Sequence, residues 1–327
     1  MIDNNVGVGI RDSFGRIHTY LRLSVTEACN YRCLYCGQGV VHQGLSDDQV
    51  VFLCSLFRSM GIKTLRVTGG EPTVSFQLIP LIRRLSSLGF ERLALTTNGT
   101  SLIWDAHDLK KAGIRSVNVH LDAIDAGLYA FLTGGFPVKP VLDGIGVALS
   151  EGLDVKLNCV LLADTYQSQV RQLMTFAKEV GIPLRFIELM PFGNGVRYEG
   201  VSTASVVAFL AKEYGRDAPE YDCEPECKRL WGSGPAKYQR FDGVEVGFIS
   251  ALTGCFCSSC QRLRLTNEGH LKTCLYHSEY LDLRKLLERN CSTEELSHHI
   301  EEFVLTKKYR HDFQKGLIEL PLSSIGG

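Results

Sequence analysis

Short runs dominated by branched and apolar residues recur along the chain, at 19–25, 63–68, 92–97, 115–121, 153–161 and 184–189. Their length and composition predict strands. Between them, apolar positions recur at helical spacing. Ser46 and Gln49 form a capping-box pattern, with Leu45 and Val50 placed as a hydrophobic staple. Val50, Leu53, Cys54 and Phe57 then make a stripe at i, i+3, i+4 and i+7. Val170, Leu173, Met174 and Ala177 repeat it, and Gly181 and Pro183 stop that helix. Six β–α units in tandem imply a parallel sheet with right-handed crossovers, either an incomplete (β/α) barrel or an open doubly wound sheet.

The residues at the strand ends decide between these. A loop with three cysteines follows the first strand, Gly69-Gly70-Glu71-Pro72 the second, and Thr96-Thr97-Asn98-Gly99 closes the third. His120 and Asp122 end the fourth, and Met190-Pro191 follows the sixth. A barrel gathers all these ends at one mouth, where chemistry is normally built, so the α/β fold expected is an incomplete (β/α)6 barrel. From 192 to 236 the pattern loosens, with several glycines around a helix at 203–214. Beyond it come strand-like runs at 244–249 and 261–265 and helices at 281–289 and 293–305. The division expected is a barrel over 1–235 and a smaller α+β domain over 236–327 that closes the mouth.

Composition narrows the partners. Lys+Arg and Asp+Glu number 35 and 36, so no global charge argues for nucleic acid or an acidic membrane. No apolar run reaches the ~18–20 residues of a membrane span. Met1-Ile2-Asp3-Asn4-Asn5 lacks the basic and apolar character of a signal peptide, so a cytoplasmic protein is expected. Twelve cysteines in such a chain favour metal binding over disulfides.

Cys29, Cys33 and Cys36 are spaced C-x3-C-x2-C, which lets three thiols ligate three irons of a [4Fe-4S] cube and leaves the fourth open to a small molecule. The alternative is zinc, which would need a fourth ligand, with His42 the nearest histidine. Cys257, Cys260 and Cys274 form a second triplet, C-x2-C-x13-C, for which zinc is the stronger rival through Cys255, His270 or His277. Cys54, Cys159, Cys223, Cys227 and Cys291 read as buried or incidental thiols, with Cys223 and Cys227 noted as a spaced pair. Arg262 and Arg264 alternate on one strand, so they share a face that is either solvated or a clamp for phosphate. Arg22, Arg66, Lys156 and Arg185 lie in predicted strands. Buried cations are costly without an anionic partner, so together these argue for a polyanionic substrate inside the barrel.

With its glycine turn, the first triplet has the pattern of radical S-adenosylmethionine (SAM) enzymes. Across essentially its whole length the chain resembles the GTP 3′,8-cyclases of molybdenum-cofactor biosynthesis, the MoaA family. The resemblance runs through Asp12-Ser13-Phe14-Gly15-Arg16, Leu21-Arg22-Leu23-Ser24-Val25-Thr26, Arg66-Val67-Thr68-Gly69-Gly70-Glu71-Pro72 and Arg185-Phe186-Ile187-Glu188-Leu189-Met190-Pro191. Its most specific part is Phe256-Cys257-Ser258-Ser259-Cys260-Gln261-Arg262-Leu263-Arg264-Leu265-Thr266, with Cys274-Leu275 and the terminal Gly326-Gly327.

The resemblance implies two [4Fe-4S] clusters. At the first, SAM would be cleaved to a 5′-deoxyadenosyl radical that takes the ribose 3′ hydrogen of GTP, after which C3′ closes onto guanine C8. The second would hold the guanine. Tyr35, Gly70 and Met190 match positions lining the SAM pocket, and His120 stands where a serine contacting SAM is usual. Arg22, Arg66, Thr96, Lys156, Arg185, Arg262 and Arg264 match positions contacting GTP, the last two also being the catalytic pair. Implied partners are an electron donor or reductant protein and a downstream cyclic pyranopterin monophosphate synthase, with the chain a monomer or homodimer. Departures are Thr73-Val74-Ser75 for Leu-Leu-Arg, Glu27-Ala28 for Asp-Arg, Gln261 for Asn, and Leu320 and Leu322 for Arg and Met. Rival readings are another radical SAM enzyme with an auxiliary cluster, such as a peptide modifier, and a non-enzymatic metal-binding interaction protein.

Overall fold

A computed structural model describes residues 7, 9–37, 40–215 and 234–313. Cys223, Cys227, Leu320, Leu322 and Gly326-Gly327 lie outside these residues. A short hairpin, β1 (Ile10–Arg11) and β2 (Ile17–His18), precedes the main sheet. The six expected strands form as β3 (Tyr20–Ser24), β4 (Thr64–Thr68), β5 (Arg92–Thr97), β6 (Ser116–His120), β7 (Asp154–Val160) and β8 (Leu184–Ile187), each parallel to the next.

Alternation along these strands builds the barrel. Leu21, Leu23, Leu65, Val67, Leu95, Val117, Val119, Leu157 and Leu184 belong to the continuous apolar core. The intervening Arg22, Arg66, Thr96, Asn118, Asn158 and Arg185 all line one cavity. Residues of every strand from β3 to β8 meet around that single space, so the sheet curls and the open doubly wound alternative fails.

The helices covering the apolar face follow the sequence pattern. The first, α1 (Asp47–Ser59), starts at the Ser46–Gln49 capping box and buries Val50, Leu53, Cys54, Leu56 and Phe57. The helix Tyr166–Val180 buries Val170, Leu173, Met174 and Ala177 and ends at Gly181, whose φ of 70° is left-handed.

The C-terminal segment meets the barrel at both edges. After β9 (Lys237–Phe241), β10 (Val244–Ile249) pairs parallel with β8. At the other edge β11 (Arg262–Leu265) pairs parallel with β3, followed by β12 (His270–Lys272) and β13 (Leu281–Asp282). Among the described residues the sheet therefore has eleven strands and runs through the division expected at 235/236. Among the described residues no pairing joins β13 to β9, so the barrel is incomplete. The expected helix at 281–289 is shorter than its pattern, Leu283–Glu288, because Leu281 and Asp282 pair with β12 and Asp282 caps the helix through Lys285 N.

Candidate functional site

The cavity inside the sheet has a volume of about 570 Å³. Thiols of both triplets reach it, together with Tyr35, Gly70, His120, Met190, Arg22, Arg66, Thr96, Arg185, Arg262 and Arg264. Lys156 is the exception among the expected site residues: it is wholly buried and is not part of the wall.

Strand register fixes how the triplets are disposed. Cys29 follows the end of β3, whereas Cys260 precedes Arg262, which is paired with Tyr20 at the start of β3. The triplets therefore bracket β3 from opposite ends, with a five-residue strand between them, roughly 15 Å at the usual rise. In the middle, Arg264, Arg22 and Arg66 stand side by side across β11, β3 and β4. Three adjacent cations in a closed space repel one another and call for an anion. Burial, and then the Arg66, Arg262 and Arg185 charges, lower Arg22 to about 10 despite the opposing Tyr20 hydroxyl. Arg66 Nε donates to Tyr20 Oη at 2.5 Å, and Arg66 Nη1 to Leu95 O at 3.0 Å. The Nε and Nη2 of Arg185 are buried without a hydrogen-bond partner. Lys156, behind this wall, is lowered to about 6 by burial and then by Arg185, Arg66 and Arg92.

The first cysteine loop is held by its backbone. Arg32 N and Leu34 N donate to Thr133 O and Leu132 O at 3.1 and 2.9 Å, and Asn98 Nδ2 donates to Asn30 Oδ1 at 2.7 Å. Gly70 is needed because a Cβ there would fall 2.3 Å from Ala28 O. Glu71 fastens the turn to the end of β5, Oε1 accepting from Thr97 Oγ1 at 2.7 Å and Oε2 from Asn98 N at 2.6 Å. Tyr35 Oη donates to Asp122 Oδ2 at 2.5 Å, and His120 Nε2 lies 2.5 Å from the hydroxyl and 2.9 Å from the same carboxylate oxygen. Burial opposes the imidazolium of His120, but the charge and the hydrogen bond of Asp122 together outweigh it and raise its pKa. Burial also raises Cys29 to about 11 and, with Asp122 and the neighbouring thiols, holds Cys33 well up.

In the second triplet cations act on Cys260, whereas burial holds Cys257 up to about 12. Burial pushes the Cys260 thiol up, but Arg262 and Lys307 outweigh it and bring it down to about 7. Lys307 Nζ lies 4.0 Å from Cys260 Sγ and donates to Arg262 O at 3.0 Å. Arg16, aligned by Asp12, donates to Cys257 O at 2.8 Å, which gives the Asp12–Arg16 motif its task. Arg262 also stacks over Phe256, 4.8 Å from the ring centre.

Both triplets suit an iron–sulfur cube. All six cysteines carry free thiols. In each, a backbone N–H two residues on points at a sulfur, Tyr31 N to Cys29 Sγ and Tyr276 N to Cys274 Sγ, both at 3.4 Å. Neither is drawn together at single-ion distance. Cys257 does stand within 4.8 Å of Cys255 and His311, so these, rather than His270 or His277, are its neighbours for the zinc alternative. Sequence reasoning passed over Asp122 and Glu71 as site residues, although both occupy strand ends. It had no signal for Lys307, which is 47 positions from Cys260.

Residues 23–177 match the radical SAM superfamily, and residues 182–313 match Molybdenum Cofactor Synthesis C. The GTP 3′,8-cyclase of Clostridium perfringens (strain 13 / Type A) is 34% identical, over 93% of this chain and 95% of that protein. That of Listeria monocytogenes (serovar 1/2a, strain EGD-e) is 35% identical, over 85% and 86%. That of Rhodopseudomonas palustris (strain TIE-1) is 36% identical, over 92% and 89%. Among solved structures, anSMEcpe with bound AdoMet and Kp18Cys peptide superposes with a TM-score of 0.57 at 15% identity, covering 93% of each chain. Streptococcus suis SuiB bound to precursor peptide SuiA gives 0.60 at 12% identity, over 95% of this chain and 65% of that one. At these identities the structural likeness concerns the fold.

Proposed function

Because the chain belongs to the GTP 3′,8-cyclase family of the radical SAM superfamily, we propose that its cavity works as two halves meeting over one substrate. The protein is a GTP 3′,8-cyclase of molybdenum cofactor biosynthesis that uses SAM and iron–sulfur clusters. In this reading Cys29, Cys33 and Cys36 hold one cluster, and Cys257, Cys260 and Cys274 the other. The observation that carries it is the bracketing of β3 by the two triplets, with the arginine row between them.

When bound, the first cluster and SAM supply the one-electron chemistry that starts the reaction, and the second cluster supplies an iron for the substrate. The chain's own residues do the rest. Gly70 keeps the turn close to the cysteine loop, and Met190 lines the wall beside Tyr35 on the SAM side. Asp122 holds Tyr35 and His120 in a fixed arrangement in the half of the wall that would hold SAM. Arg264, Arg22, Arg66 and Arg185 hold the triphosphate, relieving their mutual repulsion, and Thr96 adds a hydroxyl beside Arg66. Lys156 answers the triphosphate from behind that wall through charge. Arg262, stacked on Phe256 and next to Cys260, positions the base end. The enclosing sheet keeps water from a reactive intermediate. The reaction calls for an electron donor and for an enzyme that carries the cyclised triphosphate onward.

Anaerobic incubation of reduced, reconstituted protein with SAM and GTP tests the reading. The expected products are 5′-deoxyadenosine and a cyclised GTP in equal amounts. Formation of 5′-deoxyadenosine alone would reject the assignment of the GTP half.

A further inference from the structure

Away from the cavity, three side chains able to ligate a metal converge from distant parts of the chain. Glu27 lies just before the first triplet, His42 in the loop before α1, and Glu268 in the turn between β11 and β12. Their ligand atoms all lie within 4.8 Å of one another. His42 Nδ1 is 2.9 Å from Glu27 Oε2 and 3.9 Å from Glu268 Oε1. A second imidazole stands close by, His270 Nδ1 being 3.8 Å from Glu268 Oε2. None of these residues lines the cavity.

Glu27 is the residue that points to a ligand. Its side chain is fully buried, and Oε2 accepts from His42 N at 2.9 Å. Oε1 is buried with no hydrogen-bond partner. A buried carboxylate with one oxygen unanswered is costly unless a cation completes it. Arg284, whose guanidinium lies against both loops, donates instead to backbone carbonyls, Glu268 O at 2.9 Å and Gln43 O at 2.6 Å. With Leu45 N donating to Asn267 O at 2.7 Å, these bonds fix the two loops against each other. The ligands are therefore presented by a braced backbone.

We propose that Glu27, His42 and Glu268 bind one divalent first-row cation that accepts nitrogen and oxygen ligands, such as Mn²⁺ or Zn²⁺. Water completes the shell on the half-exposed side of His42, and His270 stands beside Glu268 as a further nitrogen. The ion ties the segment entering Cys29 to the hairpin leaving Arg262–Leu265, and so braces the two cluster-bearing parts of the chain.

The test is Mn²⁺ titration of reconstituted, oxidised protein without SAM or GTP, with free Mn²⁺ followed by EPR. The wild type is expected to bind about one Mn²⁺ per chain, displaceable by Zn²⁺. His42→Ala and Glu268→Gln are each expected to weaken binding at least ~10-fold with iron content unchanged. Both residues are at least partly exposed, so these variants carry the test even if Glu27→Gln fails to fold. Two results would overturn the proposal: no stoichiometric binding by the wild type, or binding by both variants as tight as that of the wild type. A plain imidazolium–carboxylate bridge gives the first of these.

Discussion

Around Cys29 and Cys33 the charged groups that act on the thiols are Glu71 and Asp122; around Cys260 they are Arg262 and Lys307. Both regions offer three thiols and backbone N–H groups to sulfur, yet burial and the Glu71 charge hold Cys29 near 11 while Arg262 and Lys307 bring Cys260 to about 7. Ligand type alone makes the triplets interchangeable, and the surrounding charge makes them different. A cluster among anions resists taking up an electron and gives it away readily, which suits the reductive half. A cluster among cations is matched to an anionic substrate.

The largest expected effect comes from removing a proposed cluster ligand in one half or the other. Cys29→Ser should bring SAM cleavage to background, whereas Cys260→Ser should retain 5′-deoxyadenosine formation and lose the cyclised product. Product analysis by chromatography separates these outcomes, and loss of SAM cleavage in both variants would mean the halves are not separable.

Next comes the arginine row. Arg264→Met should weaken GTP binding by roughly 10- to 100-fold, as expected for one charge-assisted contact. The same change should raise the thermal stability of the substrate-free protein, since it removes a charge buried beside Arg22 and Arg262. Calorimetry with and without GTP reads both signs, and a destabilised substrate-free variant would count against the repulsion argument.

Lys307→Met should lower the potential of the second cluster on the order of 100 mV, by Coulomb's law for a unit charge near the sulfur at an effective dielectric of about 20. The first cluster should keep its potential. Redox titration followed by EPR tests this, and equal shifts at both clusters would break the contrast.

The smallest effect concerns protons. Lys156 has its pKa lowered to about 6 from an ordinary 10.5, so between those values the unfolded chain binds more protons and this group's contribution to stability rises with pH. That gain is complete near pH 10.5 and is lost progressively as pH falls towards 6. A triphosphate beside the wall reverses the shift, so GTP binding at pH 8 should take up about one proton. Calorimetry in buffers of different ionisation enthalpy reads that uptake, and Lys156→Met should abolish it. SAM binding serves as the control without uptake.

Much of this was legible in the chain. Thiol spacing within the first triplet, the capping box at Ser46 and Gln49, and the apolar stripes of the helices are local features, and the structure keeps them. Short pairings were not legible: His270–Lys272 and Leu281–Asp282 are too brief to show a period. Nor were the contacts of His42, weighed as a ligand for the first triplet and found instead against Glu27 and Glu268.

The sequence by itself determined the chemistry on offer: two sets of thiols, a glycine turn, and cations in strands where cations are costly. Those properties depend on residues a few positions apart, and local spacing is enough to specify them. Only the tertiary structure decided that the triplets bracket one strand from opposite ends, that Arg264, Arg22 and Arg66 form a row, and that Lys156 lies behind it. Register between strands far apart in sequence sets those relations. So does low-dielectric burial, which turns ordinary lysines, arginines and thiols into groups with distinct charge states.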